Sequence, residues 1–143
     1  MKTLQRTVRV DKPLDRVYDY LVDFENSEDW DAGTVRTTRT HGDGGVGTRY
    51  QNVSRFLGVE TTLTYVVVAL ERSRTIALRG ENKSVIAQDT IRLAGDDSHT
   101  EVLYTAEFEF LGWAKYLEPL LILPLKRVGD DAEDSLRLAL QRL

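Results

Sequence analysis

The chain has no cysteine and only two histidines, His41 and His99. The first absence excludes disulfide scaffolds, thiolate metal sites and cysteine nucleophiles. The second leaves little for imidazole chemistry. Each histidine stands beside turn residues, Gly42 and Ser98, and neither has a partner at metal-ligand spacing, so both read as exposed loop residues and no metal or cofactor is expected. Long apolar runs are also missing. The longest, Leu120 to Leu125, contains Pro124 and is far below the roughly 20 residues that span a bilayer. The first ten residues alternate polar and apolar types instead of forming the apolar core of a signal peptide. A cytoplasmic location without stable membrane insertion is therefore expected. Positive charge is not in excess: 19 Lys and Arg face 23 Asp and Glu, for a net charge of −4, which argues against a nucleic-acid surface.

What is present suits one globular domain over residues 1–143. Residues 3–10 have period two and β-branched types, which predicts a strand with Leu4, Val8 and Val10 on one side and Arg6 interrupting that face. Pro13 suits the start of a helix that places Leu14, Val17, Tyr18 and Leu21 on one face. A second short helix is expected after Asn26 or Ser27, ending near Trp30. The pattern then changes to strands near 34–40, 46–57, 59–71, 74–80, 84–94 and 100–110. Their separators carry turn chemistry, including Gly42-Asp43-Gly44-Gly45, Gly58, Gly80-Glu81-Asn82-Lys83 and Gly95-Asp96-Asp97-Ser98. Connections this short make antiparallel hairpins. The glycine-rich stretch 42–47 lacks the lysine and the following helix of a phosphate loop.

After Gly112 the spacing turns helical, with Leu125, Val128, Ala132, Leu136, Ala139, Leu140 and Leu143 in one stripe. Pro119, Pro124 and Gly129 are expected to kink or interrupt the first part, leaving the acidic residues 130–134 as the first turn after a break at Gly129. The predicted architecture is α+β: a seven-stranded curved antiparallel sheet, two short helices after its first strand, and a long carboxy-terminal helix covering its apolar face. A curved sheet and a straight rod do not touch everywhere, so a space between them is expected.

In this order the residues resemble the START-like, Bet v 1-like superfamily (SRPBCC), in its polyketide cyclase/dehydrase and lipid-transport group. The resemblance rests on Val8-Arg9-Val10-Asp11-Lys12-Pro13 running into Val17-Tyr18-Asp19-Tyr20-Leu21, on Trp30, on Gly45-Val46-Gly47-Thr48-Arg49-Tyr50 and on Thr100-Glu101-Val102. It implies a helix-grip fold enclosing an apolar cavity for lipids, sterols or polyketides. Some members of that superfamily catalyse cyclisation or dehydration and others carry or sense a ligand, so function must be argued from the site.

Strand parity selects the inward residues. Tyr50, Asn52, Ser54 and Phe56 share a face, as do Leu63, Tyr65 and Val67, although the run Val66-Val67-Val68 makes both faces apolar. Ile76 and Leu78 follow, then Val85, Ala87, Asp89, Ile91 and Leu93, and last Val102, Tyr104, Ala106, Phe108 and Phe110. Asp89 interrupts an apolar row, and three roles stay open for it: a hydrogen-bonded structural carboxylate, a ligand contact, or an acid/base group with a pKa raised by burial. Trp30, Trp113 and Tyr116 are placed where helix meets sheet, as packing or as a cavity mouth. The apolar segment 113–125, with Leu120 in it, reads as a kinked lid, with membrane contact and a dimer interface as alternatives. The candidate ligand contacts are thus Trp30, Tyr50, Asn52, Ser54, Phe56, Tyr65, Val67, Leu78, Asp89, Tyr104, Phe108, Trp113, Tyr116 and Leu120. The expected function is binding of a hydrophobic small molecule by a monomer or homodimer. The alternatives are a metal-free cyclase or dehydratase using an Asp/Tyr pair, with Asp89 as its catalytic candidate, and an interaction module acting through residues 113–125.

Overall fold

A computed structural model describes residues 2–143; Met1, at the head of the alternating segment, lies outside the described residues. The elements run β1 (Lys2–Val10), α1 (Leu14–Val22), a 3-10 turn (Phe24–Asn26), α2 (Ser27–Trp30), β2 (Thr34–His41), β3 (Arg49–Phe56), β4 (Val59–Glu71), β5 (Thr75–Glu81), β6 (Val85–Gly95) and β7 (Thr100–Phe110). A 3-10 segment (Gly112–Leu117) then leads into α3 (Glu118–Gln141). The strands form one antiparallel sheet in the order β1-β7-β6-β5-β4-β3-β2. Consecutive strands pair through short turns, and β1 joins at the end by pairing with β7, from Lys2↔Phe108 to Val10↔Thr100. This is the predicted helix-grip architecture.

Local chemistry explains the elements. In α1 the residues three and four apart, Val17, Tyr18 and Leu21, are the buried ones. β2 is an edge strand, and exposed backbone donors on an edge invite pairing with other chains. Here carboxylates of the preceding helical turns take two of them: Glu28 accepts from the Thr37 N–H at 3.2 Å and Glu25 from the Arg39 N–H at 2.8 Å. The β3–β4 hairpin turns through Leu57 and Gly58, both at positive φ (53° and 79°), a geometry matched to the twist of antiparallel strands. A shift in register between Val67 and Ala69 resolves the apolar run in β4: Val67 is buried and Val68 is exposed.

Four expectations need correction. β3 begins at Arg49 and not at residue 46, because the chain is still turning through Gly47 (φ 90°), whose N–H donates to the Val67 carbonyl at 2.8 Å. Gly80 is not a turn residue. It lies inside β5 opposite Tyr65, whose ring lies over it so closely that a Cβ there would stand 2.7 Å from the ring carbons. His41 is the last residue of β2, paired with Arg49, and not part of the loop. Most consequential, α3 is not interrupted at Pro119, Pro124 or Gly129. Pro119 falls in the first turn, where its missing N–H has no helical partner to lose. Pro124 frees only the carbonyl of Leu120, on a residue exposed to water.

Gly129 stays helical for a tertiary reason. The Arg6 guanidinium from β1 lies against it, with Nη2 only 3.0 Å from where a Cβ would be, and donates to the Lys126 carbonyl at 3.3 Å and to Asp130 Oδ1 at 2.9 Å. The arginine that spoils the inner face of β1 thus ties the middle of α3 to the sheet. Asp130 is its ion-pair partner and not the start of a new helix.

A cavity between sheet and helix as the candidate site

Leu125, Leu136, Ala139 and Leu140 of α3 are buried over the inner face of the sheet. Further along that face Phe24 closes the gap, its ring centroid 5.6 Å from that of Tyr50 and 4.9 Å from that of Tyr65. Beyond this packing a cavity of about 400 Å³ remains between sheet and helix. The sheet contributes Leu4 and Arg6 from β1, Ser54 and Phe56 from β3, Val59, Leu63 and Tyr65 from β4, Val85, Ala87 and Asp89 from β6, and Tyr104, Ala106, Phe108 and Phe110 from β7. These are the alternating residues that strand parity selects. Leu121, Leu125, Val128, Ala132 and Leu136 of α3 form the opposite wall, and the turn after α2 adds Trp30, Asp31 and Gly33.

The predicted contacts divide into three groups. Trp30, Ser54, Phe56, Tyr65, Asp89, Tyr104 and Phe108 border the cavity. Tyr50, Asn52, Val67 and Leu78 also point inward, but they are buried in solid packing away from it. Asn52 is a structural amide: its Nδ2 donates to Thr37 Oγ1 at 2.9 Å and to Thr34 Oγ1 at 3.2 Å, and its carbonyl accepts from the Ser54 hydroxyl. Trp113, Tyr116 and Leu120 do not line the cavity. They lie on the outer surface, with Trp113 88% exposed. For Leu120 helical periodicity is the reason, since Leu121, Leu125 and Val128 share the inward stripe and Leu120 is turned about 100° from it; Trp113 and Tyr116 lie in the 3-10 segment before α3. The segment therefore has one face walling the cavity and another open to solvent.

Sequence reasoning missed Asp31. No period marks it, because it follows a one-turn helix, and only the return of the chain into β2 brings it to the cavity. Its carboxylate accepts from the Gly33 N–H at 3.1 Å and from the Thr34 hydroxyl at 3.0 Å. Desolvation raises its pKa, and those two hydrogen bonds oppose the rise.

Asp89 lies on the β6 wall of the cavity. It is 5% exposed, and burial first, then the nearby Asp31 charge, push its carboxyl up to about 7. The nearby hydroxyls of Tyr104 and Tyr65 favour the charged form and oppose this rise. Both phenols are themselves pushed well above their ordinary value by burial and by the Asp89 charge, so they remain protonated donors. Trp30 packs edge-on to Tyr104, ring centroids 5.7 Å apart. The cavity is thus mostly apolar along its walls, with Asp31, Asp89, Tyr65 and Tyr104 near one another and Ser54, Thr61, Ser84 and Glu133 as its other acidic and hydroxyl groups. The histidines take no part: His99 sits beside Asp96 at 3.1 Å, and no group of three or more His, Asp or Glu among the described residues is arranged to hold a metal.

A seven-stranded sheet and a single long helix with an apolar cavity between them define the helix-grip class. The family model for polyketide cyclase / dehydrase and lipid transport proteins matches residues 1–141, and the chain belongs to that family. Among solved structures it is similar to the ZhuI aromatase/cyclase from Streptomyces sp. R1128, with a TM-score of 0.83 at 18% identity over 99% of this chain and 94% of that one. A protein from Thermus thermophilus matches with a TM-score of 0.76 at 14% identity over 96% of this chain and 99% of that one. Ara h 8.0201 matches with a TM-score of 0.62 at 12% identity over 94% and 97% of the two chains. At these identities the likeness is one of fold. No curated protein matches the sequence.

Proposed function

We propose that this protein binds an apolar small molecule in the cavity between sheet and α3, as a carrier or sensor. The observation that carries this reading is the unfilled space itself. About 400 Å³ lined by leucine, valine, alanine and aromatic side chains lies within the range of small-molecule sites, and protein interiors do not ordinarily leave such volume empty. The polar group at Asp89, Tyr65 and Tyr104 supplies the few oriented contacts that such sites use to fix a ligand. Displacement of a polarity-sensitive fluorophore by a library of lipids, sterols and polycyclic aromatics tests the reading, with native mass spectrometry as the second readout. Saturable one-to-one binding is expected. No binding across the library overturns it.

A second reading is favoured by one specific feature, the carboxyl of Asp89 held near neutrality beside two protonated tyrosines. An acid poised at the working pH is what general acid/base catalysis requires. A metal-free cyclase or dehydratase would use Asp89 to move a proton while the tyrosines donate to the reacting carbonyl, and the cavity walls would hold the folded chain in position. The family description and the fold likeness to an aromatase/cyclase support asking the question. Turnover of a poly-β-ketone substrate by wild type, lost in Asp89→Asn with the fold intact, is the expected result. Unchanged turnover in Asp89→Asn removes that residue from catalysis.

A further inference from the structure

We propose that Trp30, Asp31 and Asp89 act as a charge filter at the polar end of the cavity, admitting an apolar molecule tipped with a neutral oxygen and rejecting one tipped with a carboxylate. The inference rests on the cavity being a binding site and names the chemistry that site selects.

Three observations carry it. The first is a missing partner. Trp30 is 2% exposed and borders the cavity, and among the described residues its Nε1 is the one buried side-chain nitrogen or oxygen without a hydrogen-bond partner. A buried indole N–H is a pure donor, so what answers it is an acceptor atom. The second is uncompensated acidity. Asp31, Asp89 and Glu133 all line the cavity; Glu133 is paired with Arg137 at 3.7 Å, whereas the Asp31 charge falls on Asp89. The two basic residues among the lining are engaged elsewhere: Arg6 pairs with Asp130 at 2.9 Å, and the exposed Arg55 faces Glu60 at 4.0 Å. A ligand carboxylate beside Asp31 and Asp89 would add a further acid to a desolvated site with no free counter-ion, where like charges repel far more strongly than in water. The third is the donor set. Tyr65 and Tyr104 also line the cavity and are held protonated beside Asp89, and the Trp30 ring packs edge-on to Tyr104 with centroids 5.7 Å apart, so the two hydroxyls and the indole share one stretch of wall.

A phenol or enol satisfies every part of this set, accepting from Trp30 and donating to a carboxylate. A ketone accepts from the indole and the hydroxyls. An ammonium tip would neutralise the acids yet leave the indole N–H facing a positive charge.

The test uses one ring system with a single substituent at one position: naphthalene, a naphthol, an acetylnaphthalene, a naphthoate and a naphthylmethylamine. Affinities of the full chain are measured by calorimetry at pH 7.5. The naphthol and the acetylnaphthalene are expected to bind about five- to tenfold more tightly than naphthalene, the effect of about one net hydrogen bond. The naphthoate is expected to bind at least about tenfold more weakly than the naphthol. Trp30→Phe keeps an aromatic ring and removes the N–H, so the naphthol and the acetylnaphthalene should bind it no more tightly than naphthalene does, whatever the smaller ring does to naphthalene binding itself. Asp89→Asn should recover much of the lost naphthoate affinity. Equal binding of all five, or tightest binding of the naphthoate or the amine, overturns the filter and leaves the cavity reading standing. Loss of naphthalene binding in Trp30→Phe to the same extent as naphthol also overturns it, because the indole would then be packing alone. Binding of none of the five overturns the cavity reading and the filter together.

Discussion

Replacing Asp89 by Asn removes a buried carboxyl from the cavity while keeping its shape, and the structure sets both the size and the pH window of the effect. The carboxyl rises from 3.8 in the unfolded chain to about 7 in the fold, chiefly because burial disfavours the charged form. The native state therefore binds more protons than the unfolded state between these values. Its contribution to stability is fully present below about pH 4 and is lost as the pH rises through 7. A shift of about three units at about 1.4 kcal/mol each comes to about 4 kcal/mol. Asn resembles the protonated acid at every pH. The variant should thus match wild type near pH 4, apart from a constant offset, and gain on it by up to about 4 kcal/mol at pH 8. Relief of the repulsion from Asp31 is already part of this figure, because the Asp31 charge is one cause of the rise. Urea denaturation of both proteins at unit steps from pH 4 to pH 8 reads the difference directly, since every common group that does not feel the charge at position 89 cancels. A difference that stays flat across that range refutes the claim that Asp89 is desolvated and unpaired by a cation.

The other predictions concern the walls and rim. Gly80→Ala should destabilise by about 1–3 kcal/mol by urea denaturation, because the new methyl displaces the Tyr65 ring and its hydroxyl with it. The tyrosine absorbance titration should change in the same variant, and a neutral effect on both would show that the ring does not depend on Gly80. Ala87→Phe places a ring in unfilled space, so it should lower apolar-probe affinity more than about tenfold with little loss of melting temperature. A marked loss of stability would mean that the space is already packed. Leu57 holds φ 53° at the exposed tip of the β3–β4 hairpin, so Leu57→Asn should stabilise by about 0.5–1 kcal/mol in thermal denaturation.

Much of this protein is legible without coordinates. The period-two rows from β3 to β7 and the stripe from Leu125 to Leu143 identify sheet and helix, because burial on one face leaves a mark at every second or every third to fourth residue. The odd member of such a row is equally visible, which is why Asp89 could be singled out. Other features have no such mark. Asp31 sits outside any periodic element, and the assignment of Trp113, Tyr116 and Leu120 to the cavity failed because an apolar segment without a polar face does not say which side is turned inward. Gly80 and Gly129 carry the same letter as turn glycines, yet each stays inside its element because a side chain from another strand, Tyr65 or Arg6, needs the space of a Cβ.

Side-chain alternation and turn chemistry, both properties of neighbouring residues, are enough to specify most of the elements, the antiparallel pairing of successive strands from β2 to β7 and the inward rows, whereas the pairing of β1 with β7 joins the two ends of the chain. Where along those rows the core is solid and where it is open is settled by the packed chain alone. So is the question of which acids meet there. Both depend on distances between residues far apart in the chain, such as Phe24 closing over Tyr50 and Tyr65 while α3 stands off beyond them, and no local pattern encodes such a distance.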